Sequence, residues 1–589
     1  MSLNRRRLLQ ATAAGGGVML SSLLPAWAQH VHGPEVTPGP AELSGTDIAL
    51  TISRISFVVD GNEAHAVAIN GTVPGPLIRL REGQNVRLSV TNNLDEETSI
   101  HWHGLLVPFQ MDGVPGVSFA GIAPGQTFTY EFPVRQSGTY WYHSHSGLQE
   151  QEGHYGPMVI EPAAAEPAPA DREHVVVLSD FSPLHPHTIF RRLKQEAGFF
   201  NQQRQTLAGL LAGQDQTLAE RVEWARMRMD PTDISDVTGS AYTYLVNGRG
   251  PEDNWTGLFT PGQRVKLRFI NAAAQTIFNV RIPGLRLTVV AADGQYVRPV
   301  TVDEFQIGNA ETYDVIVEPR EDRAFSIISE AVDRSGIGRA TLAPRPGMAA
   351  HVPALCERPL ATMKDMGMDM AAMGHGEHAG HAMPMTQPGM APARVRGSDA
   401  GHDMTGMDML DASNAPQVAM GPGVQMITAM PMDRTGEPGQ GLESVGHRVL
   451  VYRDLVALEA NPDSRAPGRS MEIRLTGNME RFMWGFDGRK FSENPRPYSC
   501  RAGERVRVTL VNDTMMTHPI HLHGHFFELV HGPVGHLPRK HTVNVLPAGK
   551  VTFDFTAEEG DWAFHCHMLY HMHAGMFQVF TVRRMGAGT

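Results

Sequence analysis

The segment "GQNVRLSVTN" at residues 83–92 is one copy of a repeat that predicts the fold. Its frame returns twice along the chain, as "GQRVKLRFIN" at 262–271 and as "GERVRVTLVN" at 503–512. Each copy begins with a glycine at a turn, continues with alternating apolar residues and ends in asparagine. Period-two alternation after a turn signal indicates a β-strand, and another alternating run follows each copy, at 127–134, 311–319 and 550–557. The three copies predict three related β-domains.

Four His-x-His pairs lie at fixed places on this repeat. Two pairs follow the terminal asparagine of the first and third copies at equal distances, and two follow the glycine of a later strand at equal distances. The pairs are His101 and His103, His521 and His523, His143 and His145, and His565 and His567. The middle copy has Val280 and Ile282 in place of the first pair. We therefore predict metal sites in the first and third domains, most simply at their shared interface.

The segment "HCHMLYHMHAGM" at 565–576 combines thiolate, imidazole and thioether groups. Two histidines, one cysteine and a weak axial methionine are the ligand set of a blue-copper electron-transfer site. The residues that fit this set are His518, Cys566, His571 and Met576. Ser144 and Thr98 occupy the places of the cysteine and of His518 in the first domain, so only the third domain can form a thiolate site.

The same segment predicts a second metal centre beside the first. Successive side chains of a β-strand point to opposite faces. His565 and His567 therefore face away from Cys566 and can bind a different metal. Such an arrangement joins an electron acceptor to a catalytic cluster. Zinc is the usual rival for mixed His and Cys sets, but it favours closed tetrahedral sites and gives no reason for this pairing.

These four motifs, in this order, resemble the multicopper oxidases over nearly the whole mature chain. "NGTVPGPLIRLREGQ", "DGVPGV" and "PRPYSCRAGE" resemble further stretches of that family. The resemblance implies an all-β chain of three cupredoxin-like Greek-key domains that binds four copper ions. It assigns His518, Cys566, His571 and Met576 to type 1 copper, His101 and His521 to type 2 copper, His103, His143 and His567 to one type 3 copper, and His145, His523 and His565 to the other.

Breaks in the β pattern suggest the domain layout. We expect a signal peptide at 1–28, domains at 45–165, 170–345 and 426–583, and a linker at 346–425. Residues 188–230 carry apolar side chains at helical spacing with little Pro or Gly, which predicts a helical insertion in the second domain.

The opening segment predicts export. It contains a twin-arginine patch at Arg5 and Arg6, a weakly apolar stretch and a small-x-small site that ends at Ala28. Three glycines interrupt the apolar stretch, whereas a transmembrane helix needs about 20 predominantly apolar residues. We expect the twin-arginine translocon to deliver the folded protein to the periplasm, with no stable membrane insertion.

The charge of the chain bears on its partners. Loss of Arg5, Arg6 and Arg7 with the signal peptide changes the formal net charge from −12 to −15. Such a surface repels nucleic acid and attracts cations. We expect a monomer that binds no nucleic acid.

The predicted linker is of low complexity and rich in Met, Gly and His, with no period that could form a core. We interpret it as disordered. Thioethers select Cu(I), and imidazoles also accept copper, so the tract could bind several copper ions weakly. Its candidate ligands are Met363, Met366, Met368, Met370, Met373, His375, His378 and His381.

The linker, the export signal and the helical insertion together resemble the copper-resistance (CopA-type) oxidases. The resemblance implies an enzyme that takes electrons singly from Cu(I) and reduces dioxygen to water. Two alternatives stay open: a laccase that oxidises phenols, and a periplasmic protein that stores or carries copper without turnover.

Two further positions carry expectations. Asp112 stands where related oxidases have an acid that relays protons to reduced oxygen, although an Asp-Gly pair also suits a turn cap. Met572 stands where those relatives have a glutamate, so another acid or water would have to supply the second proton path. Cys356 and Cys500 either form a disulfide or stay unpaired thiols; the sequence favours neither.

Overall fold

The structure is a computed structural model that describes residues 39–368 and 409–584. In that part of the chain, the strands form six sheets, two for each of three domains. The predicted all-β class with three cupredoxin-like Greek-key domains is therefore confirmed. The predicted signal peptide lies outside the described residues.

Domain 1 packs a five-stranded sheet against a four-stranded sheet. Its strands are β1 (Glu42–Ser44), β2 (Asp47–Val59), β3 (Asn62–Ile69), β4 (Leu77–Arg81), β5 (Asn85–Asn92), β6 (His101–His103), β7 (Thr127–Pro133), β8 (Gly138–His143) and β9 (Tyr155–Glu161). The predicted alternation is visible in β5, where Val86, Leu88 and Val90 are buried and the residues between them reach towards solvent.

Domain 2 contains the helical insertion between its first two strands. Its elements are β10 (Arg172–Phe181), α1 (Pro186–Gln195), α2 (Leu207–Leu211), α3 (Leu218–Arg226), β11 (Thr243–Val246), β12 (Trp255–Leu258), β13 (Val265–Asn271), β14 (Phe278–Arg281), β15 (Leu287–Ala292), β16 (Gln295–Val302), β17 (Glu304–Ile307), β18 (Thr312–Val317), β19 (Phe325–Ala331) and β20 (Ile337–Ala343).

Domain 3 ends the described chain. Its elements are β21 (Met432–Asp433), β22 (Arg469–Asn478), β23 (Met483–Phe486), β24 (Tyr498–Arg501), β25 (Arg505–Asp513), β26 (His518–Leu522), β27 (Phe527–Leu529), β28 (Arg539–Lys540), β29 (Thr542–Val545), β30 (Gly549–Thr556), β31 (Gly560–Cys566), α4 (Leu569–Ala574) and β32 (Phe577–Arg583).

The three domains share one pairing scheme. The repeat strand of each domain (β5, β13, β25) is parallel to an earlier strand (β2, β10, β22) and antiparallel to a later one (β7, β18, β30). In the second sheet of each domain, β6 pairs with β8, β14 with β19, and β26 with β31, all antiparallel. Equivalent positions in the sequence repeat are therefore equivalent in space.

The helical insertion predicted over residues 188–230 is present as the three short helices α1 to α3. Helix α1 buries Ile189 and Leu193 in the core. Its Lys194 ammonium donates a 2.7 Å hydrogen bond to the carbonyl of Phe482 in domain 3. Helix α3 begins with a capping box between Thr217 and Glu220. The insertion therefore lies across the boundary between domains 2 and 3.

The described flanks of the predicted linker are packed against the domains. Short 3₁₀ turns form at Met363–Met366 and Ala412–Asn414, and Met366 and Met368 are buried in the core shared by domains 2 and 3. Residues 369–408, which include Met370, Met373 and the three histidines of the tract, lie outside the described residues. Their predicted disorder stays a prediction.

The terminal asparagine of the repeat makes the same contacts in all three domains. The Asn92 amide donates to the carbonyls of Glu96 (2.8 Å) and Ile122 (2.7 Å), and its oxygen accepts from the Leu94 N–H at 2.8 Å. Asn271 and Asn512 make the same three kinds of hydrogen bond, although one acceptor in domain 2, Thr276, lies one residue further along the loop than its counterparts. Each asparagine therefore fixes the loop that leads from the repeat strand to the next strand.

We expect Asn92→Ala to destabilise the protein by at least about 2 kcal/mol, because it removes a buried hydrogen-bond partner from the Ile122 carbonyl and from the Leu94 N–H, at about 1–3 kcal/mol each. Asn93→Ala is the matched control: Asn93 is adjacent and exposed, and such surface changes usually stay within about 0.5 kcal/mol. Thermal melting of both variants checks the difference; equal melting temperatures would contradict the role of Asn92.

Candidate metal centres

Strand register brings the histidine pairs of domains 1 and 3 into matching positions. His101 pairs with His143 across β6 and β8, and His521 pairs with His565 across β26 and β31. In domain 2 the equivalent pair is Val280 with Ser329. The middle domain keeps the scaffold without the ligands, as the repeat predicted.

Eight histidines of domains 1 and 3 gather at one interface. Their ring nitrogens form groups in which each residue offers an atom within 4.8 Å of the others: His101, His103 and His521; His103, His143 and His567; and His145, His523 and His565. His103 and His521, from different domains, stack with ring centroids 3.9 Å apart. The last two groups have the same members as the predicted type 3 sets.

A second group lies on the other face of β31. His518 Nδ1 is 3.6 Å from the Cys566 sulfur, His571 Nδ1 is 3.8 Å from it, and the two nitrogens are 3.2 Å apart. Met576 is fully buried, and its carbonyl accepts the Cys566 N–H at 3.1 Å. His565 and His567 belong to the histidine cluster and Cys566 to this group. The strand therefore separates the two centres as its alternation predicted.

Asp112 contacts two of the clustered histidines. Its Oδ2 accepts from His523 Nδ1 at 2.9 Å, and its backbone carbonyl accepts from His101 Nδ1 at 2.7 Å. The side chain is fully buried, and its Oδ1 has no hydrogen-bond partner within the described part of the chain. Gly113 adopts φ +84, and a Cβ there would lie 1.8 Å from the carbonyl oxygen of Ile100. Asp112 therefore both precedes a tight turn at Gly113 and contacts the histidine cluster through its carboxylate.

Glu150 is an acid beside the cluster that the sequence analysis missed. Its Oε2 lies 2.9 Å from His143 Nδ1, and its Oε1 lies 3.9 Å from His567 Nδ1. Burial, together with the charge of Asp180, raises the pKa of Glu150 well above its ordinary value. Helix α4 has Met572 at the position where related oxidases have a glutamate, and it contains no acidic residue. The "QEQEG" run gave no signal, because this contact depends on how the loop after His145 folds back.

Asp236 is a second acid that the sequence did not indicate, and it lies beside the Cys566 centre. It lies after the helical insertion of domain 2, and its Oδ2 is 2.6 Å from His571 Nε2. Burial raises the pKa of Asp236 to about 7. Trp484 stacks on the His571 ring with centroids 4.0 Å apart. His571 is therefore oriented by a carboxylate of domain 2 and covered by a tryptophan of its own domain, and no local motif indicates the contact between domains.

The donor atoms suit metal ions. Burial, helped by neighbouring imidazoles, lowers the pKa of His103, His521 and His523 well below the ordinary value, and burial lowers that of His571 to about 3. These rings are neutral near pH 7 and keep a free lone pair. Nε2 atoms of His101, His521 and His567 are buried without a hydrogen-bond partner among the described residues. Metal coordination would satisfy them.

The thiols divide into one site cysteine and two others. Burial raises the pKa of Cys566 well above its ordinary range, so a metal must displace the thiol proton on binding. Cys356 and Cys500 are free, which agrees with the alternative of unpaired thiols. The Arg281 guanidinium donates to the Cys356 sulfur at 3.0 Å.

Comparison with known proteins agrees with this geometry. The multicopper oxidase family models match residues 51–165, 214–347 and 464–586. Copper resistance protein A of Escherichia coli is 46% identical over 603 residues, covering 98% of this chain and 99% of that protein. A copper resistance protein A homolog of Pseudomonas syringae pv. tomato is 47% identical over 589 residues, covering 98% of each.

Solved structures show the same fold. A laccase from Botrytis aclada superposes with a TM-score of 0.58 at 22% identity, covering 93% of this chain and 88% of that one. The chain belongs to the multicopper oxidase family. Membership of this family means that the protein binds copper, and the buried histidine and cysteine groups are suited to it.

Copper should stabilise the folded protein, because the histidine cluster draws its ligands from two domains. At free copper a hundredfold above Kd, we expect about 2.7 kcal/mol of added stability, seen as a higher melting temperature than that of the apoprotein. His101→Gln should reduce the increase, whereas His65→Gln, at an exposed position in β3, should not. Identical melting curves for the apoprotein and the loaded protein would contradict a shared site.

Proposed function

We propose that this protein oxidises Cu(I) and reduces dioxygen to water, and that this activity serves copper tolerance. The observation that carries the proposal is the run His565, Cys566 and His567, because it connects two complete ligand groups through three consecutive residues. The names of the relatives from Escherichia coli and Pseudomonas syringae, copper resistance protein A, support the physiological role.

The proposed copper complement is one type 1, one type 2 and two type 3 ions. His518, Cys566, His571 and Met576 would hold type 1; His101 and His521, type 2; His103, His143 and His567, one type 3; and His145, His523 and His565, the other. Bound copper supplies one-electron redox chemistry at the first centre and four-electron reduction of dioxygen at the cluster.

The surrounding residues orient ligands and exclude water. Asp236 holds the outer nitrogen of His571, which fixes the direction of the inner one. Asp112 holds His523. Its Oδ1 lies 3.4 Å from His101 Nδ1, has no hydrogen-bond partner among the described residues and can carry a proton towards reduced oxygen. Glu150 holds His143 on the other side of the cluster, and we assign it the place of the acid that Met572 does not supply.

A cleft beside the type 1 group supports Cu(I) as the donor. It encloses about 440 Å³, and its lining includes Met229, Met479, Met515 and Asp233. The Met479 carbonyl accepts the Phe482 N–H at 3.4 Å, and the Phe482 ring centroid lies 5.9 Å from that of His571. Phe482 therefore connects the wall of the cleft to the proposed electron acceptor. Thioethers are soft ligands that select Cu(I). The cleft therefore offers the donor a binding place next to His571.

The Met-rich tract is attached near this cleft. On one flank, Met409 accepts the Ile427 N–H at 2.7 Å. On the other, a Cβ at Gly367 would lie 2.7 Å from Thr428, whose N–H donates to Asp513 at 2.8 Å. Both flanks thus meet at residues 427 and 428, next to the loop that leads to His518. This placement supports a role of the tract in supplying Cu(I).

Two alternatives have specific support. A laccase that oxidises small phenols fits the fold of the Botrytis aclada laccase, but a polar cleft with three methionines suits a soft cation better. A copper store or carrier would use the tract alone. The complete ligand groups at both centres favour turnover over storage.

We also propose a periplasmic monomer, exported by the twin-arginine translocon. The helices of the described residues include none that is long and apolar enough to cross a membrane.

Cys566→Ser tests the type 1 assignment. Thiolate-to-copper charge transfer gives blue sites their colour, so the variant should lose the blue absorption and turnover while its histidine cluster still binds copper. Cys500→Ser, at a buried free thiol outside both centres, should keep colour and activity. A blue Cys566→Ser protein would remove the assignment.

The donor is tested by replacing Met229, Met479 and Met515 together with Leu, a change of similar volume. We expect kcat/KM for Cu(I) to fall by at least about tenfold, equivalent to about 1.4 kcal/mol of lost transition-state stabilisation, with phenol oxidation unchanged. Met420→Leu, at an exposed position, is the control. Equal losses with both donors would contradict a specific role of the methionines in Cu(I) oxidation, and the laccase alternative would then be equally well supported.

A further inference from the structure

A hairpin of domain 2 reaches the junction of all three domains. Asp293 and Gly294 form the two-residue turn between β15 and β16, where Ala292 pairs with Gln295. Both turn residues have positive φ, +48 and +72, as a type I′ turn requires. A Cβ on Gly294 would lie 2.3 Å from the Tyr140 ring of domain 1. The turn therefore fits tightly between its neighbours.

The Asp293 carboxylate is directed at domain 3. Its Oδ2 accepts the N–H groups of His541 and Thr542, each at 3.1 Å. Its Oδ1 lies 3.0 Å from the ammonium of Lys540, which is also 3.1 Å from Glu311. All of these side chains are fully buried. One carboxylate thus fixes two consecutive peptide groups while a buried ammonium compensates its charge.

Those two residues contact the histidine cluster directly. The carbonyl of His541 accepts from His521 Nδ1 at 2.7 Å. The Thr542 hydroxyl lies 3.2 Å from the same nitrogen and 3.3 Å from His103 Nε2. His103 and His521 come from different domains and stack on one another. The peptide that Asp293 holds therefore sets the orientation of both rings.

We propose that Asp293 is a positioning residue for the type 2 side of the copper cluster. The domain that contributes no predicted copper ligand would then determine, through one carboxylate, where His521 and His103 direct their metal-binding nitrogens. Partners of this kind affect metal affinity or activity by about 10- to 100-fold. The proposal rests on the ligand assignment given under the proposed function.

Glu311 provides a control for a merely structural role. It is also buried and also pairs with Lys540, but its other partners are Tyr452, the Gly308 N–H and Asn544. It makes no hydrogen bond to the backbone of residues 541 and 542 among the described contacts. Loss of its charge should weaken the domain junction without turning the rings of His521 and His103.

The experiment compares Asp293→Asn, Glu311→Gln and wild type, each loaded with copper. Asparagine tolerates positive φ, so the turn is retained. Copper content and the paramagnetic resonance signal of type 2 copper are measured beside the blue absorption and melting temperature. We expect Asp293→Asn to bind type 2 copper about 10- to 100-fold more weakly, with its blue absorption intact. Glu311→Gln should lower the melting temperature and keep the type 2 signal.

Thr542→Val provides a second test, because it removes the hydroxyl that contacts His521 and His103 and leaves the backbone in place. It should shift the same signal even if Asp293→Asn does not fold. An unchanged type 2 signal in both Asp293→Asn and Thr542→Val, or an equal loss in Glu311→Gln, would overturn the positioning role. A wild-type protein that binds no type 2 copper would overturn the proposed function instead, so the two failures are distinguishable.

Discussion

The hydrogen bonds of the buried asparagine at the end of each repeat strand determine where the candidate metal ligands lie. The asparagine ties the strand end to the following loop through the same three kinds of hydrogen bond in every domain. Because the loops are equivalent, the ninth residue after each asparagine reaches the same place in the second sheet. In domains 1 and 3 that residue is His101 or His521, and in domain 2 it is Val280. The scaffold is therefore independent of the metal chemistry, because domain 2 keeps the same strands with Val280 and Ser329 at the equivalent positions.

Domain 2 contributes to the site through carboxylates. Asp236 reaches His571, and Asp293 reaches the peptide that contacts His521 and His103. Together with Asp112 of domain 1, they place negative or polar groups around a core of neutral imidazoles. Bringing copper ions into a buried site is costly without nearby compensating charge. The ligands and their electrostatic support thus come from different parts of the chain.

Local rules in the sequence predicted which side chains lie together at the two candidate centres. Strand alternation separated Cys566 from His565 and His567, and the repeat register identified His518 by comparison with Thr98. These rules failed where contacts depend on how the domains dock. Asp236 is 335 residues away in sequence from the histidine that it orients. No local pattern in the sequence indicates that the two side chains are in contact.

The repeat strand of domain 2 shows the same limit in the fold. Lys266 and Arg268 have the polarity of exposed positions, yet both are buried in β13. Lys266 pairs with Glu166, and Arg268 pairs with Asp314. Arg268 also donates to Thr139 of domain 1 at 2.9 Å. A face that alternation assigns to solvent is covered by the neighbouring domain, and ion pairs compensate the buried charges.

The distribution of apolar cores has a consequence for how the protein assembles. Domains 2 and 3 share one continuous cluster of buried side chains, which includes Cys566 and Met576. The main cluster of domain 1 is a different one, which includes Phe526 from domain 3, and a smaller cluster joins domain 1 to domain 2 through residues such as Trp141 and Ile270. Contiguous cores tend to open and close as cooperative units. The proposed type 1 group thus lies within the apolar cluster shared by domains 2 and 3, whereas the histidine cluster needs domain 1 packed against domain 3. The two candidate centres therefore depend on different contacts between domains.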